Sequence, residues 1–439
     1  MRSIHRTGTA SRVGGRRALG VALVLLTLSG ACNSLLTVDN PARVPTDQLD
    51  DPALMPILEA AGVQTLQCGL NAFATTGALL SGEFLSSNGF VNNHPWEWRG
   101  NAEIRNEPGN CTNLTRTSTF MGFYTPLQQA RFQLDDTNKR MQQFTDAQVP
   151  NRQRLLVESR AYAGYAYLLL GEGMCQMTID NGPLMAKDEV WAIAEARFTD
   201  AITTAGTSTD TAIVSMKNMA YVGRARVRLD RGNLAGAAAD AALVPVGFAR
   251  TANFSETNTT RENRWYNLNI RNDYISVADA YRNLTLGSGA PDPRVKVTEV
   301  KLANGNTKPG NDNVTPMWRQ TKYTSASAPE VIASWNEAQL ILAEAVGGQA
   351  GIDALNRVRT ANNVGEQLTY NGGDITPLVL EDRRRQLFAE GQRYVDMLRK
   401  GIPFPTSPTG ANRKGQVYGT VTCVPLPDVE TQNNPNLKT

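Results

Sequence analysis

Between residues 152 and 170 the apolar or small side chains fall at Leu155, Leu156, Ser159, Tyr162, Ala163, Ala166, Tyr167 and Leu170. That is the i, i+3, i+4, i+7 spacing of one helix face. Val190, Ile193, Ala194, Phe198, Ala201 and Ile202 form the next stripe, with Asp188 placed to cap it. A third helix is predicted from about Ala212 to Leu229, then a tight break at Gly232-Asn233, then a fourth helix from Leu234 to Leu243 ahead of Pro245. Ala225, Gly232, Leu234, Ala237 and Ala241 match the small and apolar positions of a tetratricopeptide-like hairpin, where small side chains let two helices approach closely. A later pair has the same form. Ser334-Trp335-Asn336-Glu337 predicts a capping box. Its helix carries Ala338, Ile341, Leu342 and Ala345, breaks at Gly347-Gly348, and is followed by Ile352, Leu355 and Val358. One long helix is predicted from Thr376-Pro377 to Lys400, stopping at Gly401. Three successive arginines, Arg383, Arg384 and Arg385, lie inside it. At about 100° per residue they cannot share one face, so at least one must meet a carboxylate on the packed side; Glu381, Asp382 and Glu390 are at hand.

The periodicity fades in two places. Residues 86–118 are rich in Asn, Gly and Thr, and read as a long functional or disulfide-held loop. Residues 246–330 are dense in Gly, Asn, Thr and Pro, with short apolar runs such as Val295 to Val300, and predict loops with a few short strands.

The N-terminus changes the picture of the whole. Arg2, Arg6, Arg12, Arg16 and Arg17 precede an apolar run, Ala18 to Leu28, which ends in Ser29-Gly30-Ala31-Cys32. The run is too short to span a bilayer. A basic start, a short apolar middle and a small-residue end make a secretory signal over 1–31. Cys32 directly after Gly30-Ala31 resembles the lipobox of bacterial lipoproteins, which implies acylation at that thiol. Residues 32–51, with Pro41 and Pro45, read as a tether, and 52–439 as a single domain.

Charge matters only after that cut. The full chain has Lys+Arg 44 and Asp+Glu 41, net +3. Loss of five signal arginines leaves a slightly acidic chain, which gives no reason to expect nucleic acid as a partner. Four cysteines remain for an oxidising compartment, Cys68, Cys111, Cys175 and Cys423, with three pairings open. There is no Cys-x-x-Cys and there are two histidines in all, so no metal ligand set is expected. No phosphate loop, dinucleotide fingerprint or Gly-x-Ser-x-Gly elbow is present, which leaves no cofactor or catalytic group to name.

A family resemblance rests on the late segments. Residues 381–399, Glu381-Asp382-Arg383-Arg384-Arg385-Gln386-Leu387-Phe388-Ala389-Glu390-Gly391-Gln392-Arg393-Tyr394-Val395-Asp396-Met397-Leu398-Arg399, resemble the late helix of the SusD/RagB family of nutrient-binding outer-membrane lipoproteins. Trp335 to Ala345 with Leu355-Asn356-Arg357-Val358-Arg359, the turn Asp292-Pro293-Arg294, Arg160 to Gly171, and the tail Val424-Pro425-Leu426-Pro427, Glu430 and Asn434-Pro435-Asn436-Leu437 resemble further family motifs. The resemblance implies a mainly α fold, a SusD-like α/α superhelix. In it tetratricopeptide-like hairpins (about 120–245 and 333–400) support an irregular loop-rich lobe (about 86–118 and 246–330) with a few short strands. It implies a non-catalytic surface lipoprotein of the outer membrane, palmitate-type lipid on Cys32, that captures an oligosaccharide or a peptide and passes it to a TonB-dependent SusC-like transporter. A tetratricopeptide-type protein-interaction scaffold is the alternative, and a glycoside hydrolase a more remote one.

Sugars present apolar faces and a hydroxyl rim, so they ask for aromatic platforms beside amide and guanidinium groups. Trp96 and Trp98, beside Arg99, would face the same way if their loop were extended. Trp265-Tyr266 and Trp318 sit in similar polar company. The alternative for each is packing of loops onto helices. Tyr162, Tyr167, Tyr394, Trp191 and Trp335 lie at helical spacing and are expected in the core.

Overall fold

The computed structural model describes residues 46–90, 94–112, 114–118, 121–407 and 409–437. The expected signal, Cys32 and the tether up to residue 45 lie outside the described residues. The chain divides into two units, Met1–Asp51 and Pro52–Thr439. The described part of the first is a 3-10 turn, Thr46–Leu49; the second carries everything below.

Helix α1, Met55–Ser81, opens with proline in its first turn and closes on Gly82, whose φ of 71° an L side chain disfavours. From Gly69 to Ser81 every residue is buried, so this helix is covered all round. It lies against α4, Tyr124–Met141, which packs on α5, Arg152–Gly173. The succession continues through α6, Lys187–Ala205, α7, Thr211–Asp230, and α8, Leu234–Ala241. Close approach is made by glycine: a Cβ on Gly164 of α5 or Gly223 of α7 would come within 2.6 or 2.3 Å of the Phe198 ring of α6. The later pair is α9, Trp335–Val346, and α10, Gly348–Ala361. Helices α11, Thr376–Gln386, and α12, Gln392–Lys400, follow, and a short helix, Asp428–Asn433, lies in the tail.

Residues 84–111 and 246–334 supply short elements: β1 (Phe84–Ser86), α2 (His94–Trp98), α3 (Asn101–Arg105), β2 (Ala249–Ala252), a π-helical turn Tyr266–Arg271, β3 (Ile275–Val277), β4 (Val297–Glu299), β5 (Trp318–Gln320) and β6 (Glu330–Ser334). The strands pair antiparallel as β1–β3, β2–β6 with a register shift after Arg250, and β4–β5. Trp265, Tyr281 and Tyr323 join the same core as Phe73, Tyr162 and Tyr394, so the loop-rich segment shares one interior with the helices. Tyr167 and Trp335 are buried too, and Trp191 packs its indole against Gly171.

Four expectations are corrected. The helix from Thr376 to Lys400 is two helices, because Ala389 and Gly391 adopt φ of 59° and 76° and turn the chain. Asp188 does not cap α6. It binds Arg231 at 2.8 Å, and the free amide of Ala186 goes to Glu189 instead. Only half of the capping box forms. Ser334 Oγ accepts the Glu337 amide at 3.1 Å, while the Glu337 carboxylate faces Arg226. Trp96 and Trp98 lie on a short helix rather than an extended strand.

The arginine triplet divides as its geometry requires. Arg383 is buried, but its partner is Asp396 at 2.8 Å rather than a nearby acid of its own helix. Arg384 and Arg385 both bind Glu381, and Arg385 also reaches Asp292 at 2.9 Å. Asp382 holds Arg294 and Arg359, tying the Asp292-Pro293-Arg294 turn to two helices. Each buried charge of this network has an opposite partner, without which its burial would be costly.

Candidate binding cleft

A cleft of about 900 Å³ opens where the end of α1, β1, α2, the turn after β3, α11, α12 and several residues between Pro403 and Tyr418 meet. Its floor is Tyr281. One face of that ring stacks on Phe388 at 5.2 Å, and the Arg384 guanidinium lies over it at 4.9 Å. Its hydroxyl is buried beside the Arg384 guanidinium, and burial pushes its pKa up. Tyr418 stands on the wall, half-buried, with the Arg99 guanidinium 5.6 Å from its ring centre. Ser407, Thr409 and Thr406 add hydroxyls at the rim. An aromatic wall and a hydroxyl rim suit a sugar, which offers apolar C–H faces and hydroxyls together.

The charges are unevenly matched. Arg384 is tied to Glu381 and to the Ala280 carbonyl at 3.1 Å. Arg413 is tied to Asp279 at 2.6 Å, and Arg282 binds the same carboxylate. Glu97 accepts the Ser86 amide at 2.9 Å, and burial raises its pKa to about 7. Arg393, from the first turn of α12, faces the same cleft.

The aromatic residues singled out in the sequence are dispersed. Trp96 is fully buried, its indole N–H donating to Glu107 at 2.7 Å. Trp265 is fully buried as well and donates to Glu330. Neither offers a ring face to a ligand, because each closes the core beneath a short element. Trp98, Tyr266 and Trp318 are half-buried. Arg271 lies 5.0 Å from the Tyr266 ring and Arg282 5.3 Å from Trp318. Arg99 is 5% exposed, at a φ of 61°, and sits one layer behind Tyr418. None of the six lines the large cleft. Sequence reasoning passed over Tyr418 and Arg393. The signal was present for Tyr418: an aromatic in a Pro-, Gly- and Thr-rich stretch beside Arg413 and Lys414, the composition that drew notice at Trp98.

The four cysteines are joined as Cys68–Cys111 and Cys175–Cys423. The first ties α1 to the segment that follows α3. The second ties the end of α5 to the tail, where the Val424 amide donates to Gly173 and Glu430 accepts from Thr178 at 2.8 Å. Among the described residues no helix is long and apolar enough to cross a membrane.

No family profile and no curated protein matches the sequence. Solved structures do match. A SusD superfamily protein of Bacteroides fragilis superposes with a TM-score of 0.63, covering 89% of this chain and 99% of its own, at 13% identity. A SusD/RagB family protein of Bacteroides thetaiotaomicron gives a TM-score of 0.60 over 88% and 95%, also at 13% identity. A laminarin-binding SusD-like protein gives 0.53 over 85% and 96%, at 16% identity. What is shared at such identities is the fold. With its helices packed in pairs and its short two-stranded sheets, the chain has the fold of the SusD superfamily.

Proposed function

We propose that the chain is a non-catalytic carbohydrate-binding lipoprotein of the outer-membrane surface. Acylated at Cys32, it holds an oligosaccharide in the cleft over Tyr281 and passes it to a TonB-dependent SusC-like transporter. The observation that carries this reading is the SusD-superfamily fold across nearly the whole chain. The laminarin-binding neighbour makes carbohydrate the favoured ligand over peptide, and the aromatic wall and hydroxyl rim of the cleft fit it. The site holds its ligand by contact alone, so dissociation must stay fast enough for hand-off.

Two measurements test this. Titration of the protein with a panel of oligosaccharides, laminarin fragments included, is expected to give saturable heat. Tyr418→Ala should weaken binding about tenfold, the worth of one aromatic contact. No heat with any glycan sinks the ligand. Labelled palmitate should enter the wild type and not Cys32→Ala; equal labelling of both sinks the anchor.

A further inference from the structure

The cleft carries more positive charge than its carboxylates answer. Arg384 and Arg413 are engaged by Glu381 and Asp279. Arg393 lines the cleft and makes no hydrogen bond or ion pair among the described residues. The carboxyl that feels its charge is Glu83, which is wholly buried beneath the cleft and out of ion-pair reach. One oxygen of Glu83 takes the Ala389 amide at 3.3 Å, and burial raises its pKa to about 7, so it is a poor counter-charge at neutral pH. Asp279 is shared between two arginines, and Glu97 is held up by burial.

Arg99 adds a second, independent mark. It is 5% exposed and its Nε has no hydrogen-bond partner among the described residues. It stacks between Phe404 at 5.5 Å and Tyr418 at 5.6 Å, so an uncompensated guanidinium backs the very ring that forms the cleft wall. It is held there from a left-handed backbone, φ 61°, which a non-glycine residue adopts at a cost. The turn is pinned by the Gly419 amide donating to the Trp98 carbonyl at 2.6 Å. A buried cation without an anion is unfavourable unless the function supplies one.

Resting on the carbohydrate reading above, we infer that the natural ligand is an acidic oligosaccharide: a uronic-acid carboxylate seats on Arg393 while its ring lies against Tyr418, with Arg99 behind. One planar guanidinium fork matches one planar carboxylate through two parallel hydrogen bonds, which a neutral hydroxymethyl group cannot reproduce.

The test is titration calorimetry with the full chain. Oligosaccharides of galacturonic, glucuronic and mannuronic acid are compared with their carboxyl-reduced counterparts, identical except that each carboxylate is a hydroxymethyl. At least one acidic ligand is expected to bind ten times more tightly than its reduced partner, with a preference that shrinks as salt rises. Arg393→Gln should bring the acidic ligand down to the level of the reduced one, and Arg393→Lys should keep part of the difference. Thermal melting checks that both variants fold, and the ratio in the wild type stands without them. Equal affinities for the pair, or a preference that survives Arg393→Gln, overturn the inference and leave the carbohydrate reading intact. Binding of neither member of any pair overturns both.

Discussion

Glu107 shows how a single side chain couples this fold to pH. Its carboxylate accepts the indole N–H of Trp96 at 2.7 Å, and burial raises its pKa from 4.5 to about 7. The folded state therefore holds this proton more tightly than the unfolded state does. Stability from the protonated form is present below pH 4.5 and is lost as pH rises through about 7. Glu107→Gln keeps the acceptor and removes the titration. Urea unfolding at pH 5 and pH 8 should show a smaller loss in the variant than in the wild type; identical losses would contradict the assignment. The same pair explains why Trp96 was misread. Its neighbours in sequence are Asn, His and Arg, which describe an exposed loop, while its acceptor lies eleven residues on and is brought close only by the short helices between. Trp265 was hidden in the same way by an acceptor at Glu330.

At the scale of elements, much was legible because packing and periodicity agree. The stripe read over 152–170 is α5, and the helices read near Ala212 and at Leu234 are α7 and α8. The break inside 376–400 was not legible. The apolar rhythm is sound on both sides, and what interrupts it is the backbone hand of Ala389 and Gly391. Of these, only glycine announces itself in the sequence. It is also tightly packed: a Cβ on Gly391 would sit 3.0 Å from the Ala74 Cα of α1. Gly391→Ala meets both the left-handed backbone and that wall, and should destabilise the protein by about 2 kcal/mol in urea unfolding. A change below about 0.5 kcal/mol would mean that the turn relaxes freely.

Neighbouring helices pack in succession, and long-range ties then hold the end of the chain to them. Cys175 and Cys423 lie 248 residues apart, and their bridge fixes the tail beside the end of α5. Removing it in a Cys175→Ser, Cys423→Ser protein should cost about 2–5 kcal/mol. Limited proteolysis should then cut first within residues 421–437, and a tail as resistant as in the wild type would show that its hydrogen bonds suffice. The pairing could not be read from spacing, because one bridge joins cysteines 43 residues apart and the other joins cysteines 248 residues apart. The cleft was illegible for the same reason: its wall is gathered from α1, α2, α11, α12 and several residues between Pro403 and Tyr418. The turn at 387–391 has an effect at this scale too. Arg393 comes nine residues after Arg384, and on an unbroken helix that separation is two and a half turns. The two guanidiniums would then point away from each other across the rod. Bent, the chain brings both to one mouth, so a straightened variant should keep its helices and lose its grip on any anion.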